Sequence, residues 1–371
     1  MIDAVRALAP ALRDAAERTE RDRRLAPELV AGLADTGVFR ACVPRALGGG
    51  EVEPALLVRV LEEIARADGA AGWCAMIAAT SGVVSGYLAE PVGREIYGRA
   101  VVTGGVFAPT GSAVVDRGSY RVTGRWRFAS GCQHCDWLMA GAIVRDDGPP
   151  RARLVLFPAR EAEIIDTWNV AGLRGTGSHD IALRDLLVPV ERSVSLSDDR
   201  PVATGALYAF PVFGLLAIGI GAVALGIARR AVDELMALAG TKAPAGSRRT
   251  LAERGVVQSQ VAEAEATVSS ARAFLLDAVG EAWELATRDG VIPIATRARL
   301  RLAATHATTA GAAATDRMYT AGGGSAIYAD NPLQRAFRDV HVATQHVMVA
   351  QPSLELVGRV LLGLDADTSM L

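Results

Sequence analysis

The sequence predicts an α+β chain in three regions: helices, then strands, then a helical bundle. Three observations predict it. Apolar residues in the first hundred positions recur at helical spacing. Between about 101 and 190 the pattern changes to short alternating runs separated by turn signals. Beyond Pro211 long helical patterns return. The expected boundaries are 1–100, 101–204 and 205–371.

The N-terminal region divides at its prolines and glycines. Pro27 can start a helix carrying Leu29, Val30 and Leu33 that ends at Gly37. Pro54 opens another, with Leu56, Leu57, Val60, Leu61 and Ile64 on one face. Residues 44–50 between them are a glycine-rich loop, and 70–88 reads as one further, largely buried helix. The best strand candidates are 101–107, 120–128, 137–144, 153–157 and 181–188. Turns are marked by Asp116-Arg117-Gly118 and by Asp146-Asp147-Gly148-Pro149-Pro150. The last region has helical patterns over 251–285 and 293–319, a polar loop at 241–247, and shorter helices to 364. Alanine pairs such as Ala303-Ala304 favour tight helix packing.

Composition narrows the classes of function. A chain of 371 residues, half of them hydrophobic, can bury a large core. Its net charge of -2 comes with no basic stripe for nucleic acid and no acidic tail. The charged N-terminus (Asp3, Arg6, Arg13, Asp14) does not read as a secretory signal. Residues 209–228 carry no charge and match a bilayer span in length. Pro211, Gly214, Gly219, Gly221 and Gly226 interrupt that stretch, so a buried core helix is expected and no membrane partner. Four cysteines do not make a disulfide scaffold, and free thiols fit a cytoplasmic location. Cys132-Gln133-His134-Cys135 has CxxC spacing but no second pair, so no metal site is expected and the segment reads as a turn.

The most informative stretch is Gly124-Arg125-Trp126-Arg127-Phe128-Ala129-Ser130-Gly131. It reads as a strand ending in small residues that let a flat ligand approach the backbone. Phe128 and Ser130, two positions apart, fall on the same side of a regular pleat. An aromatic wall with a hydroxyl beside it suits a planar redox ring; core packing explains the aromatics as well.

Further segments follow in order: Trp168-Asn169-Val170-Ala171-Gly172-Leu173-Arg174-Gly175-Thr176-Gly177-Ser178-His179-Asp180, then Gly322-Gly323-Gly324-Ser325, then Asn331-Pro332-Leu333-Gln334-Arg335-Ala336-Phe337-Arg338-Asp339. With the 124–131 stretch they resemble the acyl-CoA dehydrogenase superfamily over nearly the whole chain. The closer resemblance is to its flavin-dependent monooxygenase branch, the two-component hydroxylases of phenols and related ring compounds. The resemblance implies an N-terminal helical domain, a central β-barrel-like domain and a C-terminal helical bundle, assembled as a homotetramer. It also implies an oxidoreductase that takes reduced FMN or FAD from a separate flavin reductase. Oxygen then reaches an aromatic or heteroatom-containing small molecule through a C4a-(hydro)peroxyflavin. Two other readings stay open: an acyl-CoA dehydrogenase-type oxidation of a CH–CH bond, and a non-catalytic homologue.

The resemblance also implies site residues. Phe128 stands where the family has a tryptophan against the flavin, and Ser130 where a threonine bonds flavin N5. Ala129 lies between them, and Phe107 and Thr110 belong to a second flavin-contacting loop. In that loop Ala108 replaces the usual acid and Ala113 the usual aspartate. Gly322 and Gly323 either approach a phosphate or adenine of a neighbouring subunit or form an ordinary break between helices. His346 stands at the branch's active-site histidine, where a near-neutral imidazole can accept a phenolic proton or bond the peroxide. His341, five residues earlier, lies about 500° around a helix and faces elsewhere. Residues 340–348 hold no carboxylate to serve as a dehydrogenase base, and Glu355 comes later. Thr80 or Ser81 takes the place of a second histidine, and Trp73 either lines the pocket or fills the core.

Overall fold

In the computed structural model residues 1–146 and 148–371 are described. The N-terminal helices are α1 (Ile2–Asp14), α2 (Ala16–Asp22), α3 (Pro27–Asp35), α4 (Pro54–Ala67), α5 (Gly69–Ser81) and α6 (Glu90–Tyr97). Pro27 and Pro54 each begin a helix, as their fixed φ favours. The helix expected over 70–88 is shorter than predicted. It ends at Ser81 and tightens into a 3₁₀ turn, Gly82–Tyr87. Gly82 and Gly86 weaken α-helical continuation there, and the Ser85 hydroxyl donates to the Gly82 carbonyl.

Among the described residues seven strands follow: β1 (Thr103–Asp116), β2 (Ser119–Ala129), β3 (Trp137–Arg145), β4 (Arg151–Pro158), β5 (Glu163–Ile165), β6 (His179–Pro189) and β7 (Ser193–Val194). The barrel-like region is one mixed sheet in the order β5-β6-β2-β1-β3-β4-β7; β1 and β3 pair parallel, and the other pairs among the described residues are antiparallel. The turn signal at 146–150 falls between β3 and β4; Asp147 itself lies outside the described residues. Short β5 and β7 carried no strand pattern in the sequence.

Two irregularities shape one end of this sheet. In β1, Val106 pairs with Ala140 and Gly111 with Ala142, so five positions advance against two in β3. The expected flavin-contacting loop is therefore a bulge inside a strand that runs on to Asp116. Gly141 allows it: a Cβ there would lie 2.3 Å from the Phe107 carbonyl oxygen and 2.6 Å from that of Ala108. In β2, Trp126 pairs with Ile181 and Ala129 with His179, three positions against two. Phe128 takes φ 68° at this bulge. The regular pleat expected for Phe128 and Ser130 is thus broken. Phe128 turns outward at 68% exposure while Ser130 sits buried in the following turn.

The C-terminal helices are α7 (Val212–Thr241), α8 (Gly255–Asp289), α9 (Ile294–Gly322), α10 (Pro332–Ala343) and α11 (Gln351–Leu361). Helix α7 is apolar and long enough to cross a membrane, yet 89% of its most apolar 18-residue stretch is buried. Its core joins residues of α4, α5 and α9 in one cluster that includes Leu61, Met76, Leu225 and Ala304. This matches the buried core helix expected from its glycines.

Candidate active site

The bulged end of the sheet, α5, the start of α7 and the 342–348 segment enclose a cavity of about 490 Å3. That volume is in the range of small-molecule sites, and its lining is mostly apolar. Of the residues singled out in the sequence, Trp73, Thr80, Ser81, Phe107, Phe128, Ser130 and His346 line it. Trp73 is thereby placed in the pocket wall. Thr110 is exposed on β1 and Ala129 is buried in the sheet core; neither lines the cavity. Gly322 and Gly323 end α9 away from the lining, where Lys242 Nζ donates to the Gly322 carbonyl at 2.5 Å. The structure therefore does not bring these four to the cavity.

Other residues that line the cavity were not singled out as site residues, among them Trp168, Thr176, Ser178, Phe213, Gln345 and Met370. Trp168 packs edge-on against Phe128 at 6.2 Å. Its segment, 168–180, carried the family resemblance, which was the available signal for Thr176 and Ser178 as well. Met370 arrives from the end of the chain with no sequence signal at all.

Ser130 Oγ accepts from Trp73 Nε1 at 3.1 Å and lies 2.7 Å from Ser178 Oγ. Trp73 meets the His346 ring edge-on, at 5.7 Å between centroids. Hydroxyl and imidazole, distant in sequence, thus share one wall. His346 follows the end of α10 in a turn, so the helical argument that separated it from His341 does not apply. His341 faces elsewhere all the same, bonded to Asp316 at 2.8 Å with its ring tilted against Phe337.

The electrostatics of His346 differ from the near-neutral imidazole expected. Burial, with Arg301 nearby, lowers its pKa from 6.5 to about 4. Its Nδ1 accepts from the Met348 N–H at 3.2 Å, so the neutral ring carries its proton on Nε2. The neutral ring therefore offers a hydrogen-bond donor at Nε2. Arg301 of α9 is buried and donates to the Met370 carbonyl, and burial lowers its own pKa to about 10.

The loop behind Ser130 is tied to α10. Asp339 Oδ1 accepts the Leu173 N–H at 2.5 Å, and Leu173 stands at φ 49°. Arg335 and Arg338 both pair with Glu20 of α2 at 3.0 and 2.5 Å, which ties α10 to the N-terminal helices. Burial raises the Asp339 pKa from 3.8 to about 7; Asp68 and Glu20 add repulsion against the Leu173 N–H and Arg338. The native state then holds a proton that the unfolded chain lacks between these values. Its contribution is present below pH 3.8 and is lost as pH rises through about 7. Asp339→Asn keeps an acceptor for Leu173 and removes this proton. The wild-type melting temperature minus that of the variant is expected to fall steadily from pH 4 to pH 8. A constant difference over that range contradicts the assignment.

The CxxC cysteines are buried or half-buried thiols. Burial raises Cys132 to about 11 and Cys135 well above its ordinary value. Among the described residues no group of three His, Cys, Asp or Glu side chains is placed to hold a metal ion. Among the described residues, too, no carboxylate lines the cavity.

Comparison with known proteins agrees with this geometry. Residues 1–95 match the acyl-CoA dehydrogenase N-terminal domain and residues 218–351 the acyl-CoA dehydrogenase C-terminal domain. The chain is 32% identical to an indole-3-acetate monooxygenase of Pseudomonas putida, over 97% of this chain and 93% of the relative. The fold superposes on a 3-HSA hydroxylase from Rhodococcus sp. RHA1 with TM-score 0.93 at 28% identity, covering 100% and 98% of the two chains. XiaF from Streptomyces sp., solved in complex with FADH2 and glycerol, gives TM-score 0.91 at 26% identity, covering 98% and 95%. The chain belongs to the acyl-CoA dehydrogenase superfamily. Within it, the chain falls among the flavin-dependent monooxygenases.

Proposed function

We propose that this protein is the oxygenase component of a two-component flavin-dependent monooxygenase. It takes reduced FMN or FAD from a separate reductase and transfers an oxygen atom from O2 to an aromatic or heteroatom-containing small molecule. One observation carries the reading: a hydroxyl, Ser130, and a neutral imidazole, His346, face one apolar cavity that contains no carboxylate among the described residues. An acyl-CoA dehydrogenase needs a carboxylate at the reacting carbon. This cavity supplies a hydrogen-bond donor instead.

The residues present fit a flavin ring. Phe128 and Trp168 supply an aromatic wall, Phe107 and Pro109 a bulged backbone, and Ser130 a polar contact at the ring edge. When bound, reduced flavin supplies the activation of O2. The protein's part is to exclude water and to hold charge. Apolar Ile77, Phe213 and Leu216 keep the cavity dry. His346 Nε2–H donates to the oxygen or the substrate hydroxyl as negative charge develops. Thr80 gives its proton to the Met76 carbonyl at 2.8 Å, which leaves Ser81 as the better substrate contact.

The remaining assignments rest on family membership and on surface chemistry. A homotetramer is supported by exposed Ile327 and Tyr328, which follow the glycine run at 322–324. Such a contact would give Gly322 and Gly323 a neighbouring subunit's cofactor to meet. The four free cysteines support a cytoplasmic location.

The test is turnover with reduced flavin under ¹⁸O2 on a panel of phenols, indoles and aryl acids. One ¹⁸O atom in a hydroxylated product is expected. Bleaching of bound oxidised flavin by a saturated acyl-CoA, with no labelled product, would overturn the proposal.

A further inference from the structure

The hydroxyls behind the cavity form a chain whose direction can be deduced. Thr176 Oγ1 lies 2.8 Å from the Leu173 carbonyl oxygen, and Ser178 Oγ lies 2.7 Å from Thr176 Oγ1. Ser130 Oγ lies 2.7 Å from Ser178 Oγ and receives the Trp73 indole N–H at 3.1 Å. Two oxygens this close require a proton between them. The Leu173 carbonyl has none, so Thr176 must donate to it. Thr176 has only one proton, so the hydrogen between Thr176 and Ser178 comes from Ser178. By the same count, the hydrogen between Ser178 and Ser130 comes from Ser130. Trp73 is a donor only and occupies one of the two Ser130 lone pairs. Ser130 is left with a single lone pair for the cavity and no proton to offer it. All three hydroxyl residues are buried and line the cavity, so bulk water does not scramble the order.

We infer that Thr176 and Ser178 are positioning residues that fix Ser130 as a hydrogen-bond acceptor, so that the site selects reduced over oxidised flavin. The inference rests on the flavin reading above. Reduced flavin carries N–H at N5, the edge nitrogen that the family's hydroxyl contacts. Oxidised flavin presents a bare nitrogen there. Against the bare nitrogen Ser130 has only a lone pair, which repels it. Release of oxidised flavin after turnover follows from the same contact.

Thr176→Val breaks the chain at its far end without touching Ser130. The shape is kept, and the Leu173 carbonyl retains donors from Trp168 Nε1 and the residue-176 N–H. With no acceptor at 176, Ser178 turns its proton to Ser130, and the Ser130 proton swings into the cavity. Ser178→Ala frees the Ser130 proton by a second route and guards against misfolding of the first variant. The measurement is anaerobic titration of each protein with oxidised and with reduced flavin, together with the midpoint potential of the bound flavin. In the wild type the ratio Kd(oxidised)/Kd(reduced) is expected to be well above one. In both variants it falls by about tenfold, which is about 30 mV toward lower potential for a two-electron couple. Thr176→Ser restores the wild-type ratio. Variants that bind flavin with an unchanged ratio overturn the inference while leaving the flavin site standing. Failure of the wild type to bind flavin in either redox state overturns the cofactor reading and the inference together.

Discussion

His346→Ala should retain reduced flavin with near wild-type affinity and lose about 10²–10³-fold in product formation, the usual cost of removing one preorganised donor. The argument starts from the ring's surroundings. Its Nδ1 is held by the Met348 N–H and its face is set by the Trp73 indole, so Nε2–H is the ring's remaining polar group for the cavity. Burial keeps the ring neutral down to about pH 4, so it is a donor throughout the working range. Oxidation of reduced flavin should continue in the variant, with hydrogen peroxide replacing hydroxylated product. His346→Gln, which preserves an N–H donor, should recover part of the lost activity. The pH profile provides a separate check. A general base with an ordinary imidazole pKa gives an inflection near 6.5. Here that inflection should be absent, and activity should fall only as pH approaches about 4. Wild-type product yield in His346→Ala, or an inflection near 6.5 that this variant removes, would contradict the donor role.

Gly141→Val should abolish flavin binding. A Cβ at this position would sit 2.3 and 2.6 Å from two carbonyl oxygens of the β1 bulge, closer than real side chains approach backbone. The Gly141 carbonyl also accepts the Trp126 indole N–H at 2.7 Å, so β3 cannot slide away without breaking a buried bond. The bulge must move instead, carrying Phe107 and Pro109 out of the cavity wall. Overpacking of this kind costs about 1–3 kcal/mol, so the melting temperature should fall by several degrees while the protein stays folded. Gly118→Ala is the control. Gly118 has φ 81° in the β1–β2 turn and open space around its Cβ position, so the change strains the turn alone. It should cost about 1–2 kcal/mol and leave flavin affinity unchanged. Loss of binding in both variants would trace the effect to general instability.

The three-region plan was legible because its signals are local. Prolines at 27 and 54 begin helices, and glycine-interrupted apolar residues after 211 form a buried core helix. The cavity was legible only in part, and the reasons are physical. The alternation Tyr120, Val122, Trp126 holds in β2, but one extra residue at a bulge reverses the parity for Phe128. No pattern of side-chain types encodes that slip, because it is set by pairing with β6. The bulge in β1 hides in the same way behind Gly141, a partner in another strand. Family resemblance pointed to Ser130 and His346, which line one cavity, yet said nothing of the hydroxyl chain, since Thr176 and Ser178 gain their meaning only from short contacts. The pKa of His346 depends on depth and on Arg301, which lies in a different helix. Met370 reaches the cavity because Arg301 holds its carbonyl, a contact between positions far apart in the chain.

A crystal structure of the protein prepared anaerobically with reduced flavin tests the account most directly. The tricyclic ring should occupy the space bounded by Phe128, Ser130, Trp168 and His346, with its N5 edge toward the serine. Ring density elsewhere on the protein, or a cavity that stays empty at saturating reduced flavin, would contradict it.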